Sequence, residues 1–358
     1  MKNNKVFLDF ILKEWLLFAS VTGLLITSIY VNQIPTFSTR EIEIIFIIAV
    51  LFVTVKGLEN SGLILRLSQR LEKGSFIPLK LVVTTFFLSM FITNDIALMV
   101  VVPVTLLLKI NHKDFLVIFE ALSANAGSAL TPIGNPQNLF IYWFYGIRPD
   151  LFLSTIAPFS ILYLTILVIF SLFLKTKNSE VFEEEQTTII SRKVFIYVVF
   201  FLLLILSVLH ILPVWIGIIA IVYSSIFDRN SLKIDYALLL TFIFFFGLAE
   251  NMRVIFSSNI ENSGHIFIFS ALISQVISNV PTTLLFAKFT GQWKALLWGS
   301  NVGGFGSLVG SLANLIAYKL YISHKTTNNI STFTLKYVTL GYVFFFIGIL
   351  LYFGLERI

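Results

Sequence analysis

Cysteine is absent from this chain of 358 residues, which excludes disulfides, thiolate nucleophiles, iron–sulfur clusters and cysteine-ligated zinc. Charge is scarce as well. Asp, Glu, Lys and Arg make up 12% of the residues, against roughly 25% in a soluble domain, so a soluble enzyme is excluded. The four histidines show no metal-ligand spacing, and no Ser-His-Asp order, phosphate-binding glycine loop or nucleotide motif occurs. What the chain does have is apolar bulk: 57% hydrophobic residues, with 38 Phe. At ~20 residues per bilayer crossing, the apolar runs fill most of the length. The net charge of +6 lies in short loops between those runs, where it sets topology rather than binding nucleic acid. The lipid bilayer is the partner this composition requires.

The first apolar run continues to about Val31 without a small-residue cleavage site and reads as an uncleaved span. Further spans fall at 42–57, 152–174, 194–210, 212–227, 236–250 and 331–355, with interrupted spans at 114–145 and 293–322, giving nine crossings. Two other apolar segments, 76–108 and 262–290, carry polar clusters at mid-length, Thr93-Asn94-Asp95 and Ser278-Asn279. Unpaired polar groups cost several kcal/mol in hydrocarbon, so these segments are predicted to be re-entrant hairpins with the clusters at their tips, facing protein or a water-filled cavity. With the N-terminus cytoplasmic, fifteen of the 25 Lys and Arg fall inside and six outside, the expected bias. The polar stretch 175–193 reads as a cytoplasmic linker between a first half, 1–174, and a second, 194–358.

The halves align with each other. Ser89 matches Ser274 and Asn94 matches Asn279 at an offset of 185. Past the tips, Asn125, Gly127, Gly134, Asn138 and Tyr142 fall on Asn301, Gly303, Gly310, Asn314 and Tyr318 at an offset of 176. Upstream, Gly57-Leu58-Glu59-Asn60 resembles Gly247-Leu248-Ala249-Glu250-Asn251. Chance matches of Gly and Asn are the competing account, but order and spacing agree over about fifty residues per half. In the topology above, one hairpin enters from inside and the other from outside. That is an inverted repeat, the architecture of secondary transporters that alternate access around a midplane site.

The span 114–145 contains Asn125-Ala-Gly127-Ser128 and then Thr131-Pro132-Ile133-Gly134-Asn135-Pro136-Gln137-Asn138. Two prolines and two glycines cannot sustain a continuous helix there. Unwinding frees carbonyls for a cation and N–H groups for an anion. In the partner span, Asn301-Val-Gly303-Gly304-Phe-Gly306-Ser307 through Gly310-Ser311 to Asn314 reads either as a second break or as close helix packing by small residues. At the tips, Thr93, Asn94, Ser278 and Asn279 offer hydroxyls and amides that bind an oxyanion without a fixed countercharge. Asp95 is the one carboxylate placed deep: a cation ligand, a proton carrier, a partner to a bound cation, or a cap on the second hairpin arm. Glu120 is expected within a turn or two of the interface, and Glu250 is expected to be solvated at the end of its span.

The pattern of Thr93-Asn94-Asp95 followed by Asn125-x-Gly127 and Thr131-Pro132-x-Gly134-Asn135-Pro136, and of Ser278-Asn279-Val280-Pro281 followed by Asn301-x-Gly303-Gly304, resembles the ion transporter superfamily. Within it, the chain from about residue 40 to 355 resembles the citrate-transporter-like permeases, relatives of arsenite efflux pumps, of one class of sodium/proton antiporter and of divalent anion:sodium symporters. The resemblance implies an all-α polytopic membrane protein with two inverted repeats, each holding a re-entrant hairpin and a broken helix, working as an elevator, commonly in a homodimer. It implies transport of a small anion or oxyanion such as citrate, a dicarboxylate or arsenite, coupled to sodium or protons without a further cofactor, across a bacterial or archaeal cell membrane.

By position, Thr93, Asn94, Asp95, Asn138, Ser278, Asn279, Val280 and Asn314 are then the candidate substrate ligands. Asp95, Asn125, Gly127, Thr131, Gly134, Asn135, Asn301, Gly303, Ser307 and Gly310 are the candidates for cation binding or coupling. Divalent-anion symporters carry Ser-Asn-Thr at both tips; the Asn94-Asp95 pair instead resembles the arsenite-pump tip, and a carboxylate there repels a dianion unless it is protonated or cation-paired. A sodium/proton antiporter using Asp95 is the alternative. A channel would need a ring of equivalent ligands, and an intramembrane enzyme a nucleophile with its base or a metal cluster.

Overall fold

The computed structural model describes residues 14–63, 66, 76–108, 110, 112–174, 193–256, 262–324 and 329–356, and among these every regular element is a helix. After α1 (Trp15–Val31), α2 (Thr39–Asn60) starts in a capping box. Ser38 Oγ accepts the Glu41 N–H at 3.3 Å, and Glu41 Oε2 accepts the Ser38 N–H at 2.7 Å. Then come α3 (Ile77–Ile92) and α4 (Asn94–Leu107), parted by a single residue. That residue, Thr93, has φ 73°, a region a β-branched side chain enters only when its surroundings impose it. The first interrupted span forms α5 (Lys113–Ala129) and α6 (Pro136–Phe144), and α7 (Pro149–Phe173) closes the first half.

The second half repeats these forms. It runs α8 (Lys193–Val208), a 3₁₀ turn at Val214–Gly217, α9 (Ile218–Phe227), a second 3₁₀ turn at Arg229–Leu232 and α10 (Tyr236–Phe256). A hairpin follows, α11 (Ser263–Ile277) and α12 (Asn279–Ala287), turning at Ser278 with φ 75°. The second interrupted span gives α13 (Trp293–Gly303) and α14 (Leu312–Ile322), so the glycine run is a break, and α15 (Ile330–Glu356) ends the fold. The linker expected at 175–193 lies outside the described residues except for Lys193, the first residue of α8.

Three helical stretches, Pro149–Phe173, Arg229–Ile255 and Ile330–Leu355, are long and apolar enough to cross a membrane, and only 33%, 39% and 28% of their apolar windows are buried in the protein. Many of the remaining residues face outward. So do Ile29, Phe173 and Leu350, each more than 70% exposed; in water these would form an aggregating surface, whereas in a bilayer they meet acyl chains.

Packing sorts the helices into two groups, and both halves of the chain contribute to each. In the first, α1 packs on α10, and α2 on α8, α9 and α10. The second holds both hairpins, both broken helices, α7 and α15: α3 packs on α5 and α7, α11 on α13, and α15 on α13, α5 and α7. The two halves interlock inside this group, since α14 packs on α4 and α12 on α6. The groups meet where α6 packs on α2 and α12 on α10.

Candidate functional site

Each hairpin tip is tied to a helix break by one backbone hydrogen bond. Asn94 N–H donates to Gly134 O at 3.2 Å, and Asn279 N–H donates to Gly310 O at 2.9 Å. These bonds relate residues matched at the two sequence offsets, and further contacts recur the same way. Thr131 Oγ1 donates to Met90 O where Ser307 Oγ donates to Gln275 O. Asn138 Nδ2 donates to the carbonyls of Ser128 and Thr131, at 3.2 and 3.4 Å; Asn314 Nδ2 donates to those of Gly304 and Ser307, at 2.9 and 3.1 Å. The short second helices are capped alike, Asn135 Oδ1 accepting from Asn138 N–H and Ser311 Oγ from Ala313 N–H.

Across the halves, the asparagines exchange partners. Asn125 Nδ2 donates to Asn314 Oδ1 and Asn301 Nδ2 to Asn138 Oδ1, both at 2.8 Å. All four are buried, so the carbonyls freed by the breaks are held by amide groups rather than left open. The symmetry fails at the tips. Asn94 Nδ2 donates to Asn125 Oδ1 at 3.1 Å, whereas Asn279 Nδ2 has no hydrogen bond among the described residues. Asp95 does not cap α4 by a side-chain bond, since the N-cap Thr93 lacks one and Asp95 Oδ1 has no partner.

Beside the tips lies a cavity of about 130 Å³, bordered by Asn94, Asp95, Ser278, Asn279, Val280 and the first turns of α6 and α14. Its carboxylates are Asp95, Glu14 and Asp235, and its described lining contains no Lys, Arg or His. A neighbouring cavity of about 200 Å³ shares Asp95 and Asp235 and adds the Lys56–Glu59 pair and Lys233.

The family model of the citrate transporters matches residues 10–292. The chain belongs to that family. It is 35% identical, over 86% of its length and 88% of the relative's, to an uncharacterized transporter of Methanocaldococcus jannaschii. Inner membrane protein YbiR of Escherichia coli shares 34% identity over 75% of this chain and 77% of its own. A silicon efflux transporter of Oryza sativa subsp. japonica shares 26% over 75% and 78%. This member of the citrate transporter family is thus an integral membrane transporter.

Several charged residues of this transporter have partners that the sequence does not show. Glu250 lies inside α10, which continues past it to Phe256, and its partly exposed carboxylate pairs with Lys288 at 2.7 Å. Lys288, near the end of the segment predicted as the second hairpin, has a side chain 6% exposed that also lies 2.7 Å from Glu41. Glu120 is fully buried and accepts a hydrogen bond from Thr105, with its second oxygen unpartnered. Sequence reasoning overlooked Gln137 and Asp235 at the tip cavity. Gln137 has no counterpart amide at the 176 offset, where Ala313 stands, and Asp235 reads as an ordinary loop acid before a span.

Proposed function

We propose that this chain is a secondary active transporter for a small anion or oxyacid, driven by sodium or protons. In this reading the halves are inverted repeats, the N-terminus is cytoplasmic, and the ten-helix group carrying hairpins and breaks moves as an elevator against α1, α2 and α8–α10, in a homodimer in a bacterial or archaeal cell membrane. The observation that carries it is the paired tip-to-break bonding, Asn94 to Gly134 and Asn279 to Gly310, beside one cavity. Broken helices that meet in this way are where secondary transporters hold substrate and coupling ion.

The cavity's chemistry bears on the substrate. Its lining offers amides, hydroxyls and carboxylates without a fixed positive charge, which disfavours a citrate trianion and favours an oxyacid of little or no charge, such as arsenite. A relative named as a silicon efflux transporter accords with such a cargo. Asp95, with its free oxygen, is the coupling group, binding a proton or sodium. A second reading, sodium/proton antiport, draws on the same free oxygen and on Asp235 nearby.

The test is uptake by proteoliposomes of arsenite, silicic acid and citrate under imposed sodium or pH gradients, with Asp95→Asn, Asn94→Ala and Asn279→Ala in parallel. Transport predicts gradient-driven uptake of an oxyacid that loses its dependence on the gradient in Asp95→Asn and weakens in both asparagine variants. Wild-type transport by both asparagine variants would remove the tips from the site. Sodium-driven proton flux with no oxyacid uptake would select antiport.

A further inference from the structure

Gln137 is 1% exposed, yet its carboxamide makes no hydrogen bond among the described residues, and it borders the tip cavity. Its amide opens onto that cavity instead of bonding to the protein, whereas its neighbours are held: Asn135 Nδ2 donates to Ser128 Oγ, and Asn138 Nδ2 to the carbonyls of the break. Gln137 stands on the same first turn of α6 and does neither. At the matched position of the second half is Ala313, fully buried, and opposite Asp95 in the alignment is Val280. The repeated backbone frame therefore surrounds an asymmetric cavity. One wall bears the Asp95 carboxylate and the Gln137 amide from the first half; the matched positions of the second half are apolar.

Resting on the transporter reading above, we infer that Gln137 is a substrate-contacting, specificity-determining residue, and that with Asp95 it selects a small hydroxylated oxyacid. An ionised carboxylate oxygen only accepts hydrogen bonds, so it requires a hydroxyl on the ligand, while the amide both donates and accepts and so engages a second hydroxyl from either side. While Asp95 is ionised, a fully ionised anion offers it no donor. An undissociated oxyacid satisfies both groups at once.

The experiment compares wild type, Gln137→Met and Gln137→Ala in proteoliposome uptake of arsenite and silicic acid, alongside melting temperatures without substrate. Methionine keeps the length and bulk of the side chain and removes only its hydrogen bonding. The expected result is a KM about tenfold higher in both variants, the size of effect of one lost hydrogen bond, with maximal rate within about twofold. Gln137→Met should melt at or above the wild-type temperature, because the substitution removes no hydrogen bond to the protein. A wild-type KM in Gln137→Met overturns the assignment and leaves the transporter reading standing. A lowered melting temperature in Gln137→Met makes the residue structural and overturns it as well. If the wild-type protein moves neither probe, the oxyacid reading falls, and this assignment falls with it.

Discussion

The Lys288 ammonium at the end of α12 lies 2.7 Å from Glu41 Oε1 at the start of α2, with the two side chains 6% and 2% exposed. Glu250 on α10 closes the pair into a triad, also at 2.7 Å. Glu41 serves twice, since its other oxygen belongs to the capping box that starts α2. The triad lies on the seam between the two helix groups and borders a cavity of about 570 Å³. Any movement of one group past the other must carry Lys288 away from two carboxylates.

Lys288→Met should destabilise the protein by about 3–5 kcal/mol, because it leaves Glu41 buried and unpaired. Glu250→Gln should cost less, since Glu250 is 29% exposed and Lys288 retains Glu41. Denaturation in detergent micelles measures both. Negligible effects from both would mean that the seam is held by apolar packing and not by the triad.

Matched glycines bring each first hairpin arm against its broken helix. A Cβ on Gly127 would lie 2.2 Å from Phe86 O and 2.5 Å from Ser89 Oγ, and one on Gly303 would lie 2.5 Å from Ser274 Cβ. Overpacking of this kind typically costs about 1–3 kcal/mol. Gly127→Ala should cost more than Gly303→Ala, because neither Phe86 O nor Ser274 Cβ can rotate aside and the approach at Gly127 is closer, 2.2 against 2.5 Å. Melting temperatures of the two purified variants check the order, and the reverse order would show that α3 shifts more easily than α11.

Elements that depend on local chemistry were legible in the sequence. Pro132, Gly134 and Pro136 forbid a continuous helix, and α5 stops at Ala129 with α6 resuming at Pro136. Polar tips amid apolar arms read as turns, and Thr93 and Ser278 are where the hairpins turn. The offsets of 185 and 176 selected residues that make matching bonds. Contacts between distant segments were not legible. Glu41, Glu250 and Lys288 each look like a charge at a span boundary, and only tertiary packing joins them. Gln137 is not marked by the repeat, which singles out residues with a counterpart, because Ala313 stands at its matched position.

The hydrogen bond between Asn138 and Asn301 joins the two breaks, and it predicts that they behave as one energetic unit. Asn301 Nδ2 donates to Asn138 Oδ1 at 2.8 Å, and Asn138 Nδ2 in turn holds the Ala129 carbonyl at 2.9 Å. Asn138→Ala therefore frees carbonyls in its own break and also strands one N–H of the Asn301 amide, whose other N–H stays on Leu297 O at 2.8 Å, a loss of about 1–3 kcal/mol for each group left unpaired. Asn301→Ala already removes that donor, so the double variant should be less unstable than the two single losses combined, by roughly 1–2 kcal/mol. Asn251, which donates to Thr27 and Ser28 on α1 and shares no partner with Asn138, supplies the control. Asn138→Ala with Asn251→Ala should be additive within about 0.5 kcal/mol. Additivity in both cycles would mean that the breaks are held independently, and the first half could then open its break without disturbing the second.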